Sequence, residues 1–165
     1  MIKILKITAI IICLIVGVYP WFGLEAITQT ASIYILLEKE SFLNPDYLTI
    51  DLIVNPGLQP INTININLSY TPSKLALINT NKEQSFCSFF IEEKIDNEQG
   101  VYSLSCGAPN PENSLQMPIV RLTFQKLEAG WAKVKFLEDS SVLANDSLGT
   151  NILGNREIHN IYIIK

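Results

Sequence analysis

The chain predicts an all-β fold, an antiparallel β-sandwich of jelly-roll type with about nine strands. Three observations predict it. After the first thirty residues, runs of β-branched and aromatic residues alternate with clusters of Pro, Gly, Asn and Asp, as in a domain of many short strands. Three of those runs alternate apolar and polar residues with strict period two, the mark of strands with one buried and one wet face. Isoleucine far outnumbers alanine, which favours strands over helices.

Composition narrows the class. The 165 residues suffice for one domain plus a targeting segment. Charged residues make up 17%, below the roughly 25% usual for soluble domains, and 48% are hydrophobic, which excludes a disordered chain. A net charge of −4 argues against a nucleic-acid partner.

Residues 1–26 are read as a signal peptide or an N-terminal membrane anchor helix, with the sandwich domain at 27–165. Lys3 and Lys6 give a cationic start, residues 7–18 are almost wholly apolar, and Pro20 breaks the run. Ala26 and the Thr30-Ala31-Ser32 stretch offer cleavage signals. Left uncleaved, residues 7–24 could nearly span a thin bilayer. Cys13 follows Ile12, not the small residue a lipoprotein site needs. Membrane contact is expected through this segment alone, and the domain is placed outside the cytoplasm, secreted or at the cell surface.

Strands are then expected at 32–38, 47–54, 61–70, 74–78, 86–95, 101–106, 118–125, 131–137 and 158–164. Breakers separate them: Asn44-Pro45-Asp46, Asn55-Pro56-Gly57, Thr71-Pro72, residues 107–111 and Ala129-Gly130. Ile64, Ile66, Leu68 and Tyr70 share one face, with Asn65, Asn67 and Ser69 opposite. Val120, Leu122 and Phe124 alternate with Arg121, Thr123 and Gln125. Ala132, Val134 and Phe136 alternate with Lys133 and Lys135.

Residues 86–106 read as a hairpin around Asp96-Asn97-Glu98-Gln99. The expected register pairs Ile91 with Tyr102, Phe89 with Leu104, and Cys87 with Cys106, so the two thiols meet as a disulfide, which export permits. The same register puts Ser88, Phe90, Glu92, Val101, Ser103 and Ser105 on the opposite face, leaving Phe90 as an exposed aromatic among polar groups.

Catalytic chemistry finds little material. The one histidine, His159, falls in the last strand and is placed on its outer face, without a partnered nucleophile. Glu92 and Glu93 point to opposite sides of a strand and cannot act as an acid/base pair with each other. No phosphate-cradling glycine loop or metal-spaced Cys/His cluster occurs. Asp139, Asn145, Asp146 and Asn151 match no calcium loop and read as a polar turn. The expectation is a non-enzyme with no cofactor and no metal.

Two stretches carry a family resemblance. Ile64-Asn65-Ile66-Asn67-Leu68-Ser69-Tyr70-Thr71-Pro72-Ser73-Lys74-Leu75 resembles a stretch of the cohesin family, with Thr71 where that stretch usually has Asp. Val120-Arg121-Leu122-Thr123-Phe124 followed by Ala129-Gly130-Trp131-Ala132-Lys133-Val134-Lys135-Phe136 resembles the family's paired late strands, and the Gly149-Thr150-Asn151 turn resembles cohesin-like surface proteins. The resemblance implies a nine-stranded jelly roll that binds a dockerin-like protein module, in a polysaccharide-related or cell-surface context. The candidate partner face is Asn65, Asn67 and Ser69, with Phe90 and Ser103 from the hairpin. Two alternatives stand beside it. One is a carbohydrate-binding module of the same fold, gripping polysaccharide through Trp131, Tyr47 and Tyr162. The other is a structural cell-surface protein.

Overall fold

The computed structural model describes residues 30–165. In chain order they form β1 (Ala31–Leu37), α1 (Lys39–Leu43), β2 (Tyr47–Asn55), β3 (Ile61–Tyr70), β4 (Leu75–Asn81), β5 (Phe89–Asp96), β6 (Val101–Glu112), β7 (Met117–Lys126), β8 (Gly130–Phe136), β9 (Ser141–Ala144), β10 (Leu153–Arg156) and β11 (Ile158–Ile163). One sheet has the order β10-β1-β2-β7-β4; the other has β11-β8-β3-β6-β5, with β9 also pairing with β3. The two sheets make a β-sandwich. The expected signal or anchor segment, its cleavage signals and Cys13 lie outside the described residues. No helix among the described residues is long and apolar enough to cross a membrane.

Period-two alternation fixes which side of each strand enters the core. Ile64, Ile66, Leu68 and Tyr70 of β3 are buried, as are Val120, Leu122 and Phe124 of β7 and Ala132, Val134 and Phe136 of β8. They pack in one cluster with Ile33, Ile50, Leu52, Leu104 and Tyr102. Each such large apolar side chain contributes about 1.5–3 kcal/mol by leaving water.

Two strands and a helix escape the sequence reading, and one pairing departs from the antiparallel expectation. β10 runs parallel to β1, Ala31 facing Leu153. Its Leu-Gly-Asn-Arg sequence looks like loop, but Gly154 lets it approach: a Cβ there would lie 2.1 Å from Thr30 Oγ1. β9 continues the line of β8 along β3 after a short excursion. Where the two strands part, the Asn67 carbonyl accepts from the Leu137 amide at 2.7 Å, and its N–H donates to Ser140 Oγ at 3.0 Å. This accounts for the burial of Ser140. The α1 turn is held by a buried cation. Lys126 Nζ donates to the carbonyls of Ser41 at 3.1 Å and Asn44 at 2.6 Å. Burial pulls its pKa down from the usual lysine value, although nearby Asp46 works the other way.

The hairpin forms with a different register from the one expected. Ile95, not Ile91, faces Tyr102, and Glu93, not Phe89, faces Leu104. The turn closes at Gly100, whose φ of +67° suits glycine, and the Gly100 carbonyl accepts from the Tyr70 amide at 2.8 Å. Asn97 within that turn bridges the two sheets. Its Oδ1 accepts from Tyr70 Oη and from the Leu77 amide, both at 2.7 Å, while its Nδ2 donates to the Leu77 carbonyl at 3.0 Å. Burial, with a contribution from the Asp96 charge, raises the Tyr70 phenol to about 12.

The Cys87–Cys106 disulfide is present despite the changed register, with Cα atoms 5.8 Å apart. Cys87 precedes β5 rather than lying within it. It reaches Cys106 because the segment before β5 folds back on β6, the Ser88 amide donating to the Gly107 carbonyl at 2.9 Å. Between Phe90 and Glu92 a bulge leaves Ile91 unpaired. That extra residue sets Phe90 directly opposite buried Cys106, on the core side of the sheet, not on the polar face where the uninterrupted alternation put it.

Candidate functional site

The outward face of the β8-β3-β6-β5 sheet gathers most of the residues singled out from sequence. β3 supplies Asn65, Asn67 and Ser69, and β6 sets Ser105, Ser103 and Val101 directly opposite them. β5 adds Glu92 beside Ser105 and Lys94 beside Ser103; β9 adds Ser141 beside Asn65; β8 adds Lys135 beside Ser69. Those on β3, β6, β8 and β9 point out because their neighbours in the strand point into the core.

Small side chains at the centre make this face concave. A cavity of about 380 Å³ opens over β3 and β6, lined by Asn65, Asn67, Ser103, Ser105 and the carboxylates of Glu92 and Asp139, among others. Asn65 is engaged within the face: its Nδ2 donates to Ser141 Oγ at 2.9 Å, and its Oδ1 accepts from Ser105 Oγ. The Asn67 side-chain amide and the Ser69 and Ser103 hydroxyls have no hydrogen-bond partner among the described residues and keep that capacity for whatever meets the face. A recess rimmed by two carboxylates and floored by amide and hydroxyl groups suits short polar side chains of a partner, which it meets with donors and acceptors already in place.

Four of the five candidate partner residues, Asn65, Asn67, Ser69 and Ser103, therefore lie together, and Phe90 does not. Its ring, 39% exposed, lies at the open edge under Lys82 Nζ, 5.1 Å from the ring centroid. The same lysine pairs with Glu93, and Glu93 Oε1 accepts from Tyr102 Oη at 2.9 Å. Burial opposes the Glu93 charge, but hydrogen bonds from Lys82, Tyr102 and Thr80 outweigh it and hold the carboxyl below its usual value. Burial and the Glu93 charge push the Tyr102 phenol well up. Glu93 thus belongs to the edge of the core, with Glu92 on the opposite face.

The three aromatics of the glycan alternative do not form one patch. Trp131 and Tyr162 face each other across β8 and β11 on this same outward face, their ring centroids 5.3 Å apart and their planes crossed at 76°. They are 68% and 54% exposed. Crossed rings offer an edge and a face, not a flat platform for a sugar. Tyr47 is in β2, paired with Gln125 of β7 in the other sheet. With Leu48 turned into the core, Tyr47 points out from the opposite side of the sandwich.

His159 also differs from the sequence reading, lying in the inward phase of β11 opposite buried Val134. Its Nε2 is 3.0 Å from Glu157 Oε2, and the same carboxylate oxygen accepts from the Ile35 amide at 3.0 Å. This is a brace where the chain passes from one sheet to the other. The polar turn before β10 is held by its own side chains. Asp146 Oδ1 accepts from the Leu148 amide at 3.0 Å, and Asn151 Oδ1 from those of Val142 at 3.2 Å and Leu153 at 3.1 Å. The sequence places Ser105 on this face but does not single it out as a partner residue, and it reads Asp139 as part of a polar turn; the β8–β9 excursion brings Asp139 to the recess.

No protein-family model and no curated protein matches the chain. Solved structures do. A cohesin module of a family 33 glycoside hydrolase from Clostridium perfringens superposes with a TM-score of 0.62 at 14% identity, over 82% of this chain and 98% of that one. A type II cohesin domain from the cellulosome of Acetivibrio cellulolyticus gives 0.57 at 15% identity, over 80% and 95%. A type II cohesin–X-dockerin complex from the same organism gives 0.55 at 13%, over 76% and 94%. The fold is cohesin-like.

Proposed function

We propose that this chain is an exported, non-catalytic binding module that receives a dockerin-like protein on the outward face of its β8-β3-β6-β5 sheet. The observation that carries the reading is the recess over β3 and β6, where Asn67 and Ser103 present side-chain polar groups without a hydrogen-bond partner among the described residues, with Ser69 farther along the same face. Structures of this fold include one solved as a cohesin–X-dockerin complex, which supports a protein partner over a substrate. Residues 1–26, with a cationic start and an apolar run, support export to the cell surface or the medium.

Protein recognition suits this surface better than glycan stacking. Its centre offers hydrogen bonds without a flat aromatic floor, and the aromatic pair stands at one end with rings crossed. Calorimetric titration of the full chain with purified dockerin modules tests the reading. Saturable binding to one of them is expected, weakened at least tenfold by Ser103→Arg, which fills the recess, and unchanged by Gln125→Arg on the other sheet. Binding to none, or equal sensitivity to both substitutions, would overturn it.

A further inference from the structure

Four strands end the two sheets, and three of them are protected against adding another strand. β10 is only four residues long and contains a glycine and an arginine. The outer edge of β4 is occupied at Leu77 by the side-chain amide of Asn97, which takes both backbone groups. β5 is interrupted by its bulge and carries Glu92, Glu93 and Lys94 in succession. Short edges, covered edges, bulges and charges are the usual ways of blocking strand addition.

β11 has none of these. It pairs with β8 on one side, and no described strand or loop is hydrogen-bonded along its other side. From Ile158 to Ile164 the sequence is Ile-His-Asn-Ile-Tyr-Ile-Ile, without proline, lysine or carboxylate. Ile158 is 54% exposed, and Tyr162 and Trp131 stand beside it on the outward face.

We propose that this edge is occupied by a second copy of the chain, β11 against β11 in antiparallel array. The strand is self-complementary about Asn160. A two-fold axis there sets Ile158 of each copy opposite Tyr162 of the other, an aliphatic–aromatic cross-strand pair made twice. Asn160 meets its own counterpart, and His159 meets Ile161. The uncharged run brings no like charges together. Residues directly opposite each other share a face, so the axis is perpendicular to the sheet and both recesses open to the same side. The dimer is a two-headed module, able to bind a bivalent partner with avidity. A strand of six residues buries modest area, so the association is weak and concentration-dependent.

Cross-linking of the full chain tests this. Asn160→Cys in a Cys13→Ser background places two thiols within disulfide reach across the two-fold axis. Diamide treatment is expected to give a covalent dimer on a non-reducing gel, at least tenfold more than from Gln125→Cys in the same background. Adding Ile158→Lys, which sets a charge against Tyr162, is expected to abolish the excess. Equal dimer from the Asn160 and Gln125 variants, or an excess indifferent to Ile158→Lys, would overturn the proposal and leave the edge to some other strand.

Discussion

Gly100 and Glu93 show how single residues set the hairpin that supports the recess. A Cβ on Gly100 would lie 2.2 Å from the Tyr70 carbonyl oxygen, at a φ that alanine adopts only under strain. Gly100→Ala is expected to destabilise the domain by about 2 kcal/mol or more, read from the denaturant midpoint. Glu93 gives a pH signature. Its carboxyl is held below the ordinary value in the folded state, so its contribution is present above the unfolded pKa and is lost as pH falls through the folded one. Stability of the wild type should therefore fall on acidification below about pH 4.5, the ordinary value for a glutamate. Glu93→Gln should flatten that limb in urea titrations at pH 3 to 6; an unchanged slope would remove Glu93 from the account.

At the scale of elements, two connections tie the β5–β6 hairpin down. The disulfide closes a loop with a sequence separation of 19, which stabilises by roughly 3 kcal/mol in the loop-entropy picture. Cys87→Ala with Cys106→Ala should lower the unfolding free energy by about that amount. The Asn97 bridge joins β4 to the hairpin turn, and Asn97→Ala leaves the Leu77 backbone groups and the Tyr70 hydroxyl without that partner. A cost of about 2 kcal/mol is expected in thermal unfolding, from stranding partly buried polar groups. These elements also show what the sequence makes legible. The bounds of β3 and the inward faces of β3, β7 and β8 follow from period two alone. The pairing of Cys87 with Cys106 was foreseen, but from a register that does not form. A bulge has no signature in apolar alternation, and the single unpaired residue Ile91 was enough to move Phe90 off the candidate face. β9 and β10 escaped because their pairing depends on distant partners, Asn67 and its neighbours on β3 for one and β1 for the other.

For the whole molecule, the two sheets have different roles. The β10-β1-β2-β7-β4 sheet carries on its outward face a bidentate Arg121–Asp51 pair, at 2.7 and 2.9 Å, beside a smaller recess of about 210 Å³. The other sheet ties Asn65 to Ser141 and Ser105, leaves the Asn67 and Ser103 side chains without a hydrogen-bond partner among the described residues, and places an exposed aromatic pair at its rim. Four residues of this face, Asn65, Asn67, Ser69 and Ser103, were readable as one strand face and its hairpin partner; that Trp131 and Tyr162 extend the same surface was not, because only the β8–β11 pairing puts them there. The claim that this face is the binding surface is tested most directly by backbone amide shifts of the isotope-labelled, oxidised full chain, with and without a bound dockerin module. The account predicts that the largest changes fall on residues 65–69, 101–105 and 133–135, with little movement in 121–125 on the other sheet. Changes concentrated on 121–125 and the facing residues of β2, with the recess silent, would contradict it.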